Sequence, residues 1–203
     1  MSLRGAYTVW APIYDPLLAH TTNKLREQSL ARLNDYQNST IALLGVGTGL
    51  DLPYLPADAG NSYVGVDLTP AMLERATHRS KQLKLPIDLV IGDVHRLPLT
   101  DASFDAIVLH LILAVVSDPT QCLREAVRIA RPGARILILD KFLKPGRHAP
   151  IRRLINPVLQ RLATRTDVVF EEILGQLPEL RVINDRPIAA GGWFRAITLE
   201  RTA

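Results

Sequence analysis

The sequence predicts an α/β fold in which a mostly parallel sheet carries helices on both faces. Short apolar runs alternate with helical stretches between Ile41 and Asp140, a rhythm typical of parallel strands joined by crossover helices. In addition, the first apolar run, Ile41–Leu44, passes directly into a glycine-rich turn. A strand followed by such a turn and a helix start is how α/β proteins bind nucleotides at the carboxyl end of a strand.

Four helical stretches follow from apolar spacing and start signals. A proline in the first turn has its φ angle preset, and a preceding Thr or Asp can accept a hydrogen bond from the helix start. The predicted helices are residues 17–36, a short helix within 50–55 capped by Asp51, residues 70–83 capped by Thr69, and residues 119–129, followed by a sharp stop at Arg131-Pro-Gly133.

Seven short apolar runs are predicted to be strands. The linker Ile188-Ala-Ala-Gly-Gly192 suits a hairpin turn between the last two of them. The predicted strands are residues 41–44, 62–67, 87–91, 104–110, 134–140, 180–183 and 194–199.

Length and composition indicate one folded domain. With 203 residues and 47% apolar content, the chain can bury its own core, and a disordered class is excluded. The single cysteine, Cys122, excludes an intramolecular disulfide and fits a reducing compartment. The sequence shows no run of 18 uncharged apolar residues and no signal-peptide core, so we expect a cytoplasmic protein, soluble or peripheral at the inner membrane face.

The glycine turn has a set of acidic partners farther along the chain. Gly45, Gly47 and Gly49 alternate, and by themselves they indicate only a tight turn. Asp67 ends the second predicted strand, at the spacing of a carboxylate that accepts bonds from both hydroxyls of a ribose. Asp93 follows the third strand. Because each group lies at a strand's carboxyl end, we expect them to converge on one crevice.

These residues resemble a known family. The runs are Leu-Leu-Gly-Val-Gly-Thr-Gly at 43–49, Val-Gly-Val-Asp-Leu-Thr-Pro-Ala-Met-Leu at 64–73, Gly-Asp-Val at 92–94, Leu-Pro-Leu-Thr-Asp-Ala-Ser-Phe-Asp at 97–105 and Arg-Pro-Gly at 131–133. In this order they resemble class I S-adenosylmethionine-dependent methyltransferases. The resemblance covers roughly residues 40–140. It implies a Rossmann-like seven-stranded sheet whose last strand is antiparallel, within one domain over residues 1–203.

The resemblance also implies S-adenosyl-L-methionine as the cofactor and assigns residues to it. It names no metal ligand. The assigned residues are Gly45, Val46, Gly47, Thr48 and Gly49 for the methionine part, Asp67 for the ribose hydroxyls with Leu68 beside the adenine, Asp93 for the adenine amino group with Val94 adjacent, and His110 and Leu111 where the methyl donor meets the acceptor.

The sequence departs from the family pattern at two places. The family usually has Asp or Glu two residues before the first glycine, where it helps to hold the cofactor's ammonium group, but this chain has Leu43. Asp51 either compensates as a cofactor-binding residue or only caps a helix. Many relatives carry His-His after the fourth strand, where this chain has Ala114-Val115.

Three residues are candidates for catalysis. His110 can act as a general base near neutral pH, or it can be a hydrogen-bonded pocket residue. Tyr7 and Tyr14 are the others, within an aromatic and proline cluster in residues 1–20. Residues 1–36 are predicted to form a lid and helix, and the alternatives for the cluster are a membrane-interface anchor or packing on the core. Methyl transfer needs mainly proximity and orientation, so a strong base is not required.

The basic charge of the chain is concentrated in one segment. Residues 141–165 hold seven Lys or Arg and no acid, so the positive charge of this segment alone exceeds the net charge of +4 of the whole chain. Apolar residues at helical spacing between these cations predict a basic amphipathic helical insert over residues 141–178, with a kink at Pro157. An anionic membrane surface suits this pattern better than nucleic acid, and a solvated face over the substrate pocket is the plain alternative.

The resemblance is strongest to enzymes that modify quinones and phospholipid head groups, also through Trp-Ala-Pro-Ile-Tyr-Asp at 10–15. It therefore implies methyl transfer to a small lipophilic acceptor. One alternative is a rhodoquinone-biosynthesis-type enzyme that uses the cofactor to aminate ubiquinone, suggested by Leu43 and by Leu-His-Leu-Ile-Leu at 109–113. Another is a catalytically silent, cofactor-binding partner protein, against which Asp67 and Asp93 argue.

Overall fold

The computed structural model describes residues 22–143, 168–189 and 193–202. Its helices are residues 22–30 (α1), Pro70–Leu83 (α2), Pro119–Ile129 (α3) and Phe170–Leu174 (α4), with 3-10 turns at Ala31–Asp35 and Leu52–Tyr54. Its strands are Thr40–Leu44 (β1), Ser62–Asp67 (β2), Asp88–Ile91 (β3), Phe104–His110 (β4), Ala130–Lys141 (β5), Leu180–Ala189 (β6) and Phe194–Arg201 (β7).

The strands form one seven-stranded sheet in the order β3-β2-β1-β4-β5-β7-β6. The strands β1 to β5 pair in parallel, and β7 runs antiparallel to both of its neighbours. This confirms the predicted α/β sheet with an antiparallel last strand. The chain adds β2 and β3 on one side of β1 and then β4 and β5 on the other, so the strand order reverses between β1 and β4. Crevices at such a reversal are where open α/β sheets bind ligands.

Two apolar clusters cover the two faces of the sheet. Successive residues of a strand point to opposite faces, so each strand contributes to both clusters. One cluster joins the sheet to α3 and α4, and the other joins it to α1 and α2. Sheet residues of the first include Ala42, Leu44, Ile107 and Leu109, and those of the second include Ile41, Leu43, Ala106 and Val108.

The start and stop signals of the long helices have clear physical causes. Proline stands at the first turn of both α2 and α3. The Asp118 carboxylate accepts a bond of 2.9 Å from the amide of Gln121 and so caps α3. Helix α2 ends where Lys84 takes a left-handed conformation with φ of 53°. Thr69 occupies the cap position of α2 but makes no side-chain capping bond, which corrects that part of the expectation.

Two predicted boundaries are wrong for local reasons. Helix α3 ends at Ile129 as predicted, but β5 begins at Ala130 instead of residue 134 and so includes Arg131–Gly133. The register shifts there, since Phe104 pairs with Ala130 whereas Ala106 pairs with Arg135, so these residues form a bulge on β5. Strand β6 runs on to Ala189, well beyond the predicted end, because β7 pairs with it along its length. The hairpin is confirmed, although its residues 190–192 lie outside the described part.

The two ends of the predicted basic insert belong to the core. Lys141 is the last residue of β5, and Phe142 and Phe170 are both 1% exposed with ring centroids 5.1 Å apart. Residues 144–167, which hold the rest of that segment, lie outside the described residues. Within the described residues, no helix is long and apolar enough to span a bilayer.

Candidate functional site

The glycine turn lies at the point where the strand order reverses. It links β1 to the short turn at Leu52–Tyr54, and the amides of Gly45 and Val46 both donate to the carbonyl of Val66, at 2.8 and 3.0 Å. All three glycines have positive φ angles, 68° at Gly45, 55° at Gly47 and 77° at Gly49. A side chain at any of them would be strained, so the turn depends on glycine in this order.

The three glycines serve different purposes. A β-carbon at Gly45 would lie 2.6 Å from Ile112, and one at Gly49 would lie 2.8 Å from Leu52, so both glycines are needed for packing inside the protein. Among the described residues, a β-carbon at Gly47 would meet only the carbonyl oxygen of Gly45, at 3.9 Å. The turn therefore leaves open space above Gly47, which a β-carbon would fill and a ligand can approach.

Asp67 sits beside this open space at the end of β2. Its Oδ2 accepts a bond of 2.9 Å from the Gly47 amide, and its Oδ1 accepts one of 2.9 Å from the Thr69 amide. Burial raises the pKa of Asp67, while the bonds from Thr69 and Gly47 oppose that rise. Gly47 and Asp67, which are 20 residues apart in the sequence, are thus in direct contact. Leu68, next in the chain, is 41% exposed at the same edge.

The loop after β3 brings the second predicted acid to the same edge. Gly92 donates to the Asp67 carbonyl at 3.0 Å, and it cannot carry a side chain, because a β-carbon would lie 2.8 Å from Pro98. The Asp93 carboxylate is 52% exposed and accepts bonds from His95. Val94 is buried in the core. The carboxylates of Asp67 and Asp93 therefore lie at the carboxyl ends of adjacent strands.

The remaining turn residues are largely covered. Val46 and Thr48 are 5% and 6% exposed. Leu111 follows β4 with a φ of 57°, a conformation that costs energy for a residue other than glycine. Its amide donates to the carbonyl of Leu139 at 2.8 Å, which holds this backbone in place where the loop after β4 begins.

Asp51 does not cap the following turn as predicted, since it makes no capping bond there. Its Oδ1 instead accepts a bond of 2.7 Å from Arg26 Nη1 and one of 2.8 Å from His110 Nδ1. Burial raises the pKa of Asp51, but the charges of His110 and Arg26 outweigh it and hold the pKa well below its usual range. The carboxylate is therefore ionised and paired with Arg26 beneath the glycine turn.

His110 occupies the end of β4 and has no solvent-exposed side-chain surface. Its Nδ1 faces Asp51, and its Nε2 lies 3.0 Å from Ser29 Oγ. Because the Asp51 carboxylate can only accept, Nδ1 donates to it. Both ring nitrogens are engaged with protein groups, so the geometry is that of a hydrogen-bonded pocket residue.

The structure also explains the departure at Leu43. This side chain is 1% exposed in the apolar cluster against α1. A carboxylate at that position would enter an apolar environment without a described partner. Asp51 carries the negative charge at this end of the crevice instead.

Sequence reasoning missed Arg26 and Ser29. Both are buried on the face of α1 that meets the glycine turn, together with Thr22, whose Oγ1 accepts a bond of 3.2 Å from Arg26 Nε. They recur at intervals of four and three residues, as apolar core positions do. A polar stripe at helical spacing was the available signal. Tyr7 and Tyr14 lie outside the described residues, and in the described part no group of three or more His, Cys, Asp or Glu could hold a metal ion.

Comparison with known proteins identifies the proteins that this chain resembles. The family model described as "Methyltransferase domain" matches residues 43–138. The phosphatidylethanolamine N-methyltransferase of Cereibacter sphaeroides is 27% identical over 199 residues, which cover 97% of this chain and 96% of that protein. The demethylmenaquinone methyltransferase of Renibacterium salmoninarum is 33% identical over 117 residues, which cover 58% of this chain and 46% of that protein.

A solved geranyl diphosphate methyltransferase in complex with S-adenosylmethionine has the same fold. Its TM-score is 0.73 at 16% sequence identity, and the match covers 88% of this chain and 85% of that chain. The fold, the matched domain and the named relatives agree with the geometry of the glycine turn and its acids. Residues 43–138 thus match a methyltransferase domain, and the chain is similar to S-adenosylmethionine-dependent methyltransferases in sequence and in fold.

Proposed function

We propose that this enzyme transfers a methyl group to a small lipophilic acceptor, first of all the amine of a phosphatidylethanolamine head group. The observation that carries the methyl-donor site is the bond between Asp67 and the Gly47 amide beside the open space above that glycine. The phosphatidylethanolamine N-methyltransferase supports the acceptor class, because its similarity extends over nearly the whole of both chains.

The residues assigned to the cofactor keep the roles that the resemblance implies. Asp67 accepts from the ribose hydroxyls, with Leu68 beside the adenine, and Asp93 accepts from the adenine amino group. The backbone of Gly45, Gly47 and Gly49 allows the amino-acid part to lie close to the turn.

Asp51 and Arg26 serve the amino-acid end of the cofactor in this proposal. They form a buried pair of opposite charge beside the turn, at 2.7 Å. Asp51 provides for the ammonium group the negative charge that Leu43 cannot, and Arg26 provides for the carboxylate a positive one. His110 binds the Asp51 carboxylate through Nδ1 and is itself bonded to Ser29 through Nε2.

When bound, S-adenosylmethionine supplies a methyl group on a positively charged sulfur. An ammonium acceptor would first lose a proton to solvent, and the lone pair of the resulting amine would then take the methyl group, which leaves S-adenosylhomocysteine as the other product. The chain's part is to hold donor and acceptor in line and to exclude water, which accounts for a large share of such rate enhancements. No described side chain has to act as a strong base.

A demethylated quinone precursor is the second candidate acceptor. The demethylmenaquinone methyltransferase supports it with 33% identity, although the match covers only 46% of that protein. Both candidates are lipophilic, and both fit access from a membrane surface. Residues 141–165, with their seven cations, would bind an anionic surface in this proposal.

The test is mass spectrometry of acceptors incubated with the enzyme and methyl-labelled S-adenosylmethionine. Vesicles of phosphatidylethanolamine with phosphatidylglycerol supply the first acceptor, and demethylated quinones in the same vesicles supply the second. We expect labelled methyl groups on the phosphatidylethanolamine amine. Label on the quinone alone would transfer the proposal to the second acceptor. A quinone that gains nitrogen without label would favour the amination alternative, and cofactor binding with no product would favour the silent partner.

Two controls make the test specific. Asp67→Ala should abolish product formation and weaken S-adenosylhomocysteine binding, and unchanged affinity would show that the crevice is assigned wrongly. Vesicle binding should weaken as salt concentration rises, because surface charges are screened. The double substitution of Arg152 and Arg153 to Glu should weaken the same binding without unfolding the domain. Binding that ignores salt would rule out the charged membrane contact.

A further inference from the structure

The loop that carries Asp93 contains a second polar side chain, His95, to which the sequence gives no role. Residues 93–96 form a tight turn in which the Arg96 amide donates to the Asp93 carbonyl at 2.9 Å. Two groups of His95 approach the same oxygen of Asp93. The backbone amide lies 2.9 Å from Oδ1, and ring Nδ1 lies 2.7 Å from it.

The other ring nitrogen connects this loop to helix α3. The amide of Asp118, at the cap of α3, donates to His95 Nε2 at 3.3 Å. The side-chain amide of Gln121, in the first turn of α3, donates to the His95 carbonyl at 3.1 Å. His95 is thus held between the adenine edge of the crevice and the segment that follows β4.

These partners determine the hydrogen positions on the ring. A backbone amide can only donate, so Nε2 accepts the bond from Asp118. A carboxylate can only accept, so Nδ1 carries the proton and donates it to Asp93. The arrangement that satisfies both neighbours has the proton on Nδ1 and leaves Nε2 as the acceptor, which also has Ser117 Oγ at 3.5 Å.

We propose that His95 is a positioning residue that fixes the Asp93 carboxylate for recognition of the adenine amino group and so sets the selectivity of the enzyme for adenine. Asp93 is about half exposed, and a carboxylate in that situation samples several rotamers unless neighbouring groups hold it. The two bonds from His95 both hold Oδ1, while about half of the side chain stays exposed. The inference rests on the proposed function, which assigns the adenine to Asp93.

Two substitutions separate the two nitrogens of His95. In His95→Asn the side-chain nitrogen takes the place of Nδ1 and can still donate to Asp93, but the contact with Asp118 is lost. In His95→Gln the amide oxygen can take the place of Nε2 and accept from Asp118, but the donor to Asp93 is lost. His95 is on the surface, with 25% of its side chain exposed, so both variants should fold.

The experiment measures the dissociation constants of S-adenosylhomocysteine and S-inosylhomocysteine by calorimetry. The inosine base has a carbonyl where adenine has its amino group and a proton on N1 where adenine has an acceptor. The ratio is the dissociation constant of S-inosylhomocysteine divided by that of S-adenosylhomocysteine, so it reports recognition of this edge of the base, which Asp93 provides in the proposed function. A general loss of structure would weaken both ligands and leave the ratio unchanged. We expect His95→Gln to lower the ratio by about tenfold and His95→Asn to change it by less than about threefold, in line with the range for one hydrogen bond to a charged group.

The outcomes distinguish this inference from the function on which it rests. If His95→Gln keeps the wild-type ratio, or if both variants lose it equally, His95 does not position Asp93. If Asp93→Ala keeps the ratio, the adenine assignment fails and this inference fails with it. If the wild-type enzyme binds neither ligand, the methyl-donor site itself is wrong. Nitrogen-15 spectra of the imidazole provide a second readout, since a ring protonated on Nε2 would contradict the tautomer.

Discussion

Arg26 and Asp51 form an ion pair of 2.7 Å beneath the glycine turn, with only 7% of each side chain exposed. Helix α1 supplies the arginine, and the segment after β1 supplies the carboxylate. Since His110 binds the same carboxylate oxygen from the end of β4, one buried anion joins three elements of the domain. Removing Arg26 leaves the buried carboxylate with His110 as its one described partner, and removing the carboxylate leaves the buried Arg26 guanidinium without its counter-charge.

We therefore expect Asp51→Asn to lower the free energy of unfolding by about 3–5 kcal/mol, as for other broken buried pairs. Urea denaturation at neutral pH measures this. Arg26→Met should cost a similar amount. The double variant should cost clearly less than the sum of the two, because it leaves no unpaired charge behind.

The matched control is Arg181→Met on the surface. Arg181 pairs with Glu200 at 2.6 Å, but 64% of its side chain is exposed. Its loss should cost less than about 1 kcal/mol, as is usual for surface pairs. Two outcomes would contradict the assignment of the buried pair. One is that the unfolding costs of the Arg26 and Asp51 substitutions add up in the double variant, and the other is that Arg26→Met costs no more than Arg181→Met.

Gly47→Ala separates cofactor binding from stability. The residue has positive φ, but its added β-carbon would touch no side chain in the part of the chain that the structure describes. We expect unfolding to become easier by about 1–2 kcal/mol, the cost of a left-handed alanine, and S-adenosylhomocysteine affinity to fall by at least tenfold. Thermal unfolding and calorimetry measure the two effects.

Gly133→Ala is the control for that substitution. Gly133 has φ of 82°, and its added β-carbon would meet nothing within 4 Å. It lies in the bulge of β5, so it should show the same conformational cost with no change in affinity. If both variants bind equally well, the space above Gly47 does not hold the ligand.

Asp140 makes stability depend on pH. This carboxylate is 1% exposed and accepts bonds from the amides of Ala114 and Lys141, at 3.0 and 2.8 Å. Burial nevertheless raises the pKa of Asp140 to about 6 from an ordinary 3.8. Between these two values the folded chain keeps a proton that the unfolded chain releases, so the contribution to stability falls as pH rises.

The expected size is about 3 kcal/mol between pH 4 and pH 7, from the free energy of about 1.4 kcal/mol per pKa unit. The measurement is the difference in unfolding free energy between the wild type and Asp140→Asn across this range, which cancels the other carboxyl groups. The wild type should lose unfolding free energy relative to Asp140→Asn as pH rises. A constant difference would mean that Asp140 is ionised throughout.

Cys122 should be chemically inert in the folded enzyme. Its side chain is fully buried in α3, and burial, with the charge of Asp140 as the next cause, raises the pKa of the thiol to about 12. Because only the thiolate reacts, we expect a disulfide reagent to label Cys122 at the rate of unfolding. Addition of urea should accelerate labelling strongly. Rapid labelling of the native protein would show that α3 opens locally.

The order of the elements and the converging acids could be predicted because they depend on local signals. Apolar runs, prolines at helix starts and the interval from Gly49 to Asp67 are all visible along the chain. The contact of Asp67 with the Gly47 amide then follows from parallel pairing of β1 and β2.

What could not be predicted depends on contacts between distant segments. Arg26 is 25 residues from Asp51, and Ser29 is 81 residues from His110. On a helix in isolation both would be read as part of a solvated face. The same limit explains the expected cap at Asp51, since a short polar side chain before Pro53 has the same local pattern whether it caps the turn or faces a buried arginine.

The reversal of strand order between β1 and β4 also has a consequence for biosynthesis. Because the ribosome releases α1 and β1 to β3 before β4, Arg26 and Asp51 leave the exit tunnel well ahead of His110. The nascent half-domain can form the contact between Gly47 and Asp67, but Asp51 lacks its second partner, His110, until the fourth strand is synthesised. The proposed donor pocket is therefore completed only when the second half of the chain docks. A polypeptide truncated before β4 would contain the glycine turn and Asp67 but would lack His110.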